Sequence, residues 1–189
     1  MVDRPTPTNP TPANFGPNVR IFDPSTSTVD ITNQISAIYA TQNGNTSEMG
    51  STRYALFFKP GVYNIDIDVG YYTTVHGLGS IPDGVIIHGK VQSLATRTNG
   101  LALDSFWRGV ENLSVDKPGD DSIDIWAVSQ ATFLRRIHIK GKLDLYDSRY
   151  DAQGGNYSSG GFIADSAIDG QVRSGTQQQF LTRNTNLAR

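Results

Sequence analysis

The hydrophobic pattern changes period once along the chain. Val19-Arg20-Ile21-Phe22 alternates briefly and is closed by Asp23-Pro24. Ile31, Ile35, Ile38 and Tyr39 then fall at i, i+4, i+7 and i+8. That is one face of a 3.6-residue period, so a helix is predicted, capped by Thr28 or Asp30 and ended by Asn43-Gly44-Asn45. From Arg53 the period drops to two. Tyr54-Ala55-Leu56-Phe57-Phe58 reads as an apolar strand closed by Lys59-Pro60-Gly61. Val62 to Val69 alternates residue by residue, as one strand with one buried face does. Tyr71 to Leu78 and Gly84 to Val91 continue the series, and the helical period does not return.

The second half carries an irregular repeat. Ser105 to Val115 aligns with Ser129 to Ile139, Ser158 to Ile168 and Thr176 to Asn186. Phe133, Phe162 and Phe180 each follow a Ser or Thr by four residues, and an apolar residue comes next in all four segments. Val110, Leu134, Ile163 and Leu181 are thereby offset by 24, 29 and 18 positions. A period of this size that keeps its strands and varies its loops belongs to a solenoid of β-coils. Each coil lends one residue to each ladder, with neighbouring coils about 4.8 Å apart. Phe133, Phe162 and Phe180 are then expected to stack as an internal aromatic ladder. Asn184 and Asn186 fall at inward positions, as an asparagine ladder or a coil edge would require. The predicted fold is an all-β parallel β-helix (solenoid) over residues 19–189, with the short N-terminal α-helix capping the first coil. Residues 1–18, with five prolines among Thr and Asn, read as an extended arm.

Composition narrows the function classes. Hydrophobic content is 37%, charged content 18%, and 19 glycines accompany many Ser, Thr, Asn and Gln residues, which suits turns and polar ladders. The net charge of −2 with scattered basic residues argues against nucleic acid as a partner. The absence of cysteine excludes disulfides and thiolate metal sites. No apolar run is long enough to span a membrane, so no membrane partner is expected. Met1-Val2-Asp3-Arg4 leads straight into the Pro/Thr stretch without a signal peptide, as either a mature secreted protein or a cytoplasmic one would.

Several segments carry a resemblance. Arg53 to Tyr63 resembles the opening strand of pectate-lyase-like β-helices, in which a short helix precedes the first coil. Val69 to Gly79, Phe106 to Leu113, Trp126 to Ala131 and Ser159 to Ser166 are similar to a family of secreted actinobacterial and fungal proteins. That family is often labelled "adenylyl cyclase" or "coagulation factor 5/8 type domain" protein. The resemblance runs from about Asn18 to the end and implies a right-handed parallel β-helix, secretion and an extracellular site of action. It carries over no catalytic residue. Family members are much longer, and this sequence stops at Leu187-Ala188-Arg189 inside a coil. Either further coils follow, or the exposed rung from Phe180 to Leu187 drives self-association.

An extended polysaccharide fits a groove on the face of such a fold. Two carboxylates facing each other across it would serve glycoside hydrolysis. The richest region holds Asp144, Asp147, Asp151, Asp165 and Asp169, with Tyr146, Tyr150 and Tyr157 between them. Asp147 and Asp151 occupy the longest excursion between strands, ending in Gly154-Gly155; with Asp165 they are the candidate catalytic residues. Asp165, one coil from Arg136 and one from Arg183, also reads as a member of a surface ion-pair ladder. Trp126, Tyr157, Gln178, Arg136 and Arg183 are the candidate substrate contacts, with Trp126 preferred to Trp107 for stacking on a sugar ring. Arg135, Arg136, His138 and Lys140 would instead support β-elimination from a uronic acid. No metal ligand set and no cofactor is expected; the turn Asp120-Asp121-Ser122-Ile123-Asp124 admits calcium at most. Gly77-Leu78-Gly79-Ser80 lacks the Lys and helix of a phosphate loop. The expectation is a secreted glycoside hydrolase with a polysaccharide partner; a lyase or a non-catalytic binding or structural unit is the alternative.

Overall fold

The computed structural model describes residues 14–44, 46–117, 119, 122–154 and 156–188. Most of the expected arm, Asp120, Asp121 and Gly155 therefore lie outside the described residues. Strand β1 (Val19–Phe22) precedes α1 (Thr28–Gln42), the one α-helix among the described residues. The chain then runs in passes of three short strands. These are β2 (Tyr54–Phe58), β3 (Gly61–Tyr63) and β4 (Ile67–Asp68), then β5 (Thr73–Gly77), β6 (Val85–Ile87) and β7 (Val91–Gln92). Next come β8 (Arg108–Glu111), β9 (Ser114–Val115) and β10 (Ile123–Ile125), and β11 (Phe133–Arg135), β12 (His138–Ile139) and β13 (Lys142–Asp144). The last are β14 (Phe162–Ala164), β15 (Ala167–Ile168) and β16 (Val172–Arg173), with β17 (Leu181–Arg183) and β18 (Asn186–Leu187).

Each pass adds one strand to each sheet, and every strand pair is parallel. The first sheet has the order β1-β2-β5-β8-β11-β14-β17, and the second has β3-β6-β9-β12-β15-β18. The third comprises β4-β7 and β10-β13-β16, with Ser93 bridging Trp126 between the two parts. The architecture is all-β with parallel sheets and one helix, compatible with a parallel β-helix.

Inward ladders explain the pairing. Leu56, Val75, Val110, Leu134 and Ile163 stand in one register across the first sheet. Tyr63, Ile87, Val115, Ile139 and Ile168 do the same in the second. All ten are buried, each contributing roughly 1.5–3 kcal/mol from lost apolar exposure. Helix α1 covers the first pass with Ile31, Ile35 and Ile38. Its cap position is Ser27 rather than Thr28 or Asp30, and no side chain caps it. Its C-terminal end is tied instead, since Gln42 Nε2 donates to Tyr71 O at 2.8 Å and to Thr52 O at 3.1 Å.

Three expectations need correction. Val62 to Val69 is two strands, β3 and β4, separated by a bend. The alternation survives the bend because Tyr63, Ile65, Ile67 and Val69 all face the same core. Phe133 and Phe162 flank the inward Leu134 and Ile163, so they point outward; the aromatic ladder is not internal. In the last segment the register is displaced by one residue: Ile163 pairs with Thr182, while Leu181 pairs with Phe162 and is exposed. Asn184 and Asn186 are exposed, as is Leu187, the inward residue of β18, which pairs with Ile168.

Two ladders of left-handed backbone mark the corners of the first sheet. Tyr72, Trp107 and Ala131 have φ of 51°, 50° and 58° before their strands. Asn112, Arg136, Asp165 and Asn184 have φ of 57°, 50°, 52° and 47° after theirs. Asn suits this region best of these residues. Asn112 also closes its corner, donating from Nδ2 to Gly77 O at 2.8 Å and to Gly79 O at 2.7 Å.

Candidate functional site

The aspartates named from the sequence fall in two places. Asp147 is fully buried at the start of the loop after β13. Its oxygens accept from Ala95 N at 2.9 Å and from Arg149 Nε and Nη2 at 2.8 and 2.6 Å. Asn156 Nδ2 reaches both Asp147 O, at 3.2 Å, and the Asp151 carboxylate, at 3.1 Å. Asp151 is exposed and also accepts from the Tyr146 hydroxyl at 3.2 Å. Asp144 is buried and paired with Arg173. This group braces the excursion. Asp165 lies elsewhere, at the left-handed corner after β14, between Arg136 and Asn184 in the ladder. Its carboxylate is 3.7 Å from Arg135 Nε and accepts from Asn184 Nδ2 at 3.2 Å. Arg135 also pairs with Glu111, and Glu111 lies 3.6 Å from His76 Nδ1. Asp165 thus belongs to an ion-pair ladder along the sheet, and the structure does not bring it to Asp147 or Asp151.

The proposed contacts also separate. Trp126 has no exposed surface and sits in the central core, so it cannot stack on a sugar; this expectation is corrected. Tyr157 and Gln178 are exposed. Arg136 Nη2 donates to Asn112 Oδ1 at 3.2 Å and to Ser80 O at 3.3 Å, and Arg183 O accepts from Asp165 N at 3.0 Å. For the calcium turn, Asp124 is buried on β10 and accepts from Val91 N at 3.1 Å, which removes it from any solvent-facing ion. Burial pushes its carboxyl up to about 7.

One surface feature that spans several passes is a groove on the outer face of the first sheet. One depression, of about 470 Å³, is lined by Arg53, Tyr54, Tyr72, Trp107, Ala131 and Phe133, among others. A second, of about 540 Å³, is lined by Gln130, Ala131, Gly160, Phe162, Gln179 and Phe180, among others. Ala131 lines both, so the two adjoin. Tyr72 and Trp107 occupy successive rungs, with ring centroids 4.8 Å apart and planes 7° apart. The Arg53 guanidinium lies over Tyr72 at 3.3 Å and is fixed by donation to Gly50 O at 2.8 Å and Thr52 O at 3.1 Å. Phe133 lies over Gly109, where a side chain would collide with its ring. Among the described residues no carboxylate lines either depression. The groove offers aromatic faces and amides, which hold a neutral polyhydroxylated chain; it lacks the paired acids that would cleave one. Trp107 was underrated from sequence. Its signal is the register it shares with Tyr72, visible only once strands pair.

No protein family's sequence profile matches the chain. A curated exo-β-1,3-glucanase of Streptomyces sp. (strain SirexAA-E / ActE) is 42% identical over 175 residues, which is 92% of this chain and 27% of that protein. The solved structure of sacteLam55A from Streptomyces sp. SirexAA-E matches with a TM-score of 0.80 at 40% identity, covering 93% of this chain and 31% of the other. A variant of sacteLam55A in complex with glucose matches with a TM-score of 0.83 at 42% identity, covering 93% and 30%. These likenesses correct the family expectation. The relatives found are β-1,3-glucanases, glycoside hydrolases acting on a polysaccharide, and they support neither the pectate-lyase-like nor the "adenylyl cyclase" label. The chain spans about a quarter of the length of the curated relative that it matches.

Proposed function

We propose that the chain is part of a glycoside hydrolase acting on β-1,3-linked glucan, and that the groove on its first sheet holds the polysaccharide. The observation that carries this reading is the 42% identity to an exo-β-1,3-glucanase over nearly all of this chain. The groove supports it independently, being aromatic and free of carboxylate among the described residues, as suits a neutral glucan better than a polyuronate. A right-handed parallel β-helix is the architecture that would continue such a groove from pass to pass. Secretion belongs to the proposal, since a polymer of this kind is met outside the cell.

The acid and base of hydrolysis are carboxylates supplied from outside the groove. Among the three aspartates first considered, Asp151 and Asp165 are exposed and remain the ones to test, while Asp147 is the buried support of its loop. Elimination chemistry is less well supported, because Arg135 and Lys140 are tied to Glu111 and Asp116.

The test is incubation with laminarin, cellulose, arabinan and pectin while free glucose, reducing ends and 235 nm absorbance are followed together. Glucose from laminarin without absorbance is the expected result. Absorbance, or silence on laminarin with turnover of another polymer, overturns the reading. In the same assay, Asp151→Asn and Asp165→Asn show whether either carboxylate takes part.

A further inference from the structure

The corner ladder before the first sheet changes size abruptly. Tyr72 and Trp107 carry stacked rings on adjacent rungs, and the next rung is Ala131, which is too small to continue the stack. Nothing in the backbone demands this step, since Trp107 and Ala131 share nearly the same left-handed conformation, with φ of 50° and 58°. The step leaves a slot about one rung spacing long, roughly 5 Å, where Trp107, Ala131 and Phe133 line the same depression. The far end of the aromatic stack is closed by Arg53, whose guanidinium is already engaged with Tyr72 and two carbonyls. Its charge is thereby occupied. Arg108 lies beneath, fully buried.

We propose that the step from Trp107 to Ala131 is a glucan-holding subsite that works by stacking a sugar ring at Trp107, apart from the carboxylates that perform turnover. This inference rests on the β-1,3-glucan reading above. Its ligand is a neutral glucan, because the lining is mostly apolar, Arg53 is engaged with Tyr72 and two carbonyls, and Arg108 is buried beneath the surface. The subsite strengthens attachment to long chains and leaves the chemistry on short ones alone.

The experiment compares Trp107→Phe, Trp107→Leu and Ala131→Trp with the unaltered protein. Binding to laminarin is read by affinity electrophoresis, and glucose release from laminaritriose is read in parallel. Trp107→Phe keeps a ring and retains most of the binding. Trp107→Leu loses about tenfold in affinity, as expected for ~1.4 kcal/mol of ring stacking. Ala131→Trp fills the slot with a residue that the neighbouring rung already accommodates, and loses binding to a similar extent. In each variant, glucose release from laminaritriose falls by less than binding to laminarin does. Unchanged laminarin binding in Ala131→Trp and Trp107→Leu overturns the subsite. Equal loss of binding and laminaritriose turnover also overturns it, by making the slot part of the turnover site. If Ala131→Trp does not fold, the Phe-versus-Leu contrast decides alone, and equal behaviour of those two counts against stacking. An unaltered protein that neither binds laminarin nor releases glucose from any β-1,3-glucan defeats the functional reading itself, a result visible before any variant is made.

Discussion

Arg108 and Tyr71 form a buried pair in which the guanidinium carbon lies 4.6 Å from the ring centroid. Arg108 reaches inward from β8, and its Nη1 donates to Val69 O at 2.8 Å and to Ser93 Oγ at 3.2 Å. None of the ion pairs among the described residues gives it a carboxylate. Burial therefore lowers its pKa to about 10, with the neighbouring Tyr71 opposing the shift. The ring face supplies part of what a counter-ion would. Tyr71→Phe keeps that face, and Tyr71→Leu removes it. We expect Tyr71→Leu to be less stable than Tyr71→Phe by about 2 kcal/mol, the worth of a desolvated cation–π contact. Urea unfolding at neutral pH measures the difference, and equal stability of the two variants would show that the ring face contributes nothing.

Asp124 sets a pH dependence of its own. Its folded pKa of about 7 stands above the ordinary 3.8 because burial opposes the charged form, against the pull of the Val91 N–H. Below about pH 4 both folded and unfolded chains hold the proton, so the group costs nothing. Between that point and about pH 7 only the folded chain holds it, and stability falls as pH rises. Above pH 7 the penalty is constant, on the order of 4 kcal/mol for a shift of about three units. Asp124→Asn imitates the protonated form. It is expected to gain stability over the unaltered protein at pH 8 and to lose the advantage near pH 4, as followed by paired urea titrations. A variant less stable at both pH values would mean that the carboxylate is needed in its charged form.

His138 gives the opposite slope. Its Nδ1 lies 3.0 Å from Asp83 and its Nε2 2.8 Å from Asp169, so one imidazolium ties the turn before β6 to the turn after β15. Burial opposes the charge, yet the hydrogen bonds that the ring donates to Asp169 and Asp83 outweigh it and raise the pKa. Both ring nitrogens donate only when the ring is protonated. The contribution is fully present below the unfolded pKa of about 6.5 and is lost as pH rises through the raised folded value. The Tm difference between the unaltered protein and His138→Gln should therefore shrink from pH 6 toward pH 9. A difference that stays flat would show that the brace does not depend on charge.

The passes of strands were legible because each first-sheet strand pairs an inward aliphatic with an outward neighbour, as Leu134 and Ile163 show with Phe133 and Phe162. The offsets of 24 and 29 read from the repeat coincide with the observed register. The last slipped by one because Leu181, though apolar, faces outward, and the small polar Thr182 takes the position paired with Ile163. Hydrophobicity alone cannot place a residue at a rung whose partner pass leaves it uncovered. A groove was expected from the fold, but its lining was not legible beyond Trp107, named only as second to Trp126. Tyr72, Trp107 and Ala131 share a backbone conformation and a register, but the two rings and the methyl group share no side-chain type, so no residue pattern announces them. The aspartates misled for a related reason: Asp147 and Asp165 are close in sequence, but β14 carries the chain across to the far corner of the first sheet between them.

The corner between β5 and the second sheet offers a sharper structural test. Gly77 packs so closely on the next pass that an added Cβ would meet the Asn112 carbonyl carbon at 3.0 Å and sit on its oxygen. Asn112 cannot retreat, since its Nδ2 is bonded to both Gly77 O and Gly79 O and its own N–H donates to Arg135 O at 3.0 Å. Gly77→Ala must therefore separate two rungs, and a loss of about 3 kcal/mol or more is expected from strained packing and disturbed hydrogen bonds. Gly119→Ala serves as the comparison. Its backbone, unlike that of Gly77, is left-handed, with φ of 114°, and nothing lies within 4 Å of the added atom. Only backbone strain acts there, of order 1–2 kcal/mol. Urea midpoints for the two variants separate crowding from conformational strain: Gly77→Ala should fall well below Gly119→Ala. The reverse order would mean that the passes spread freely at this corner, and that the left-handed ladder through Asn112 does not hold their spacing.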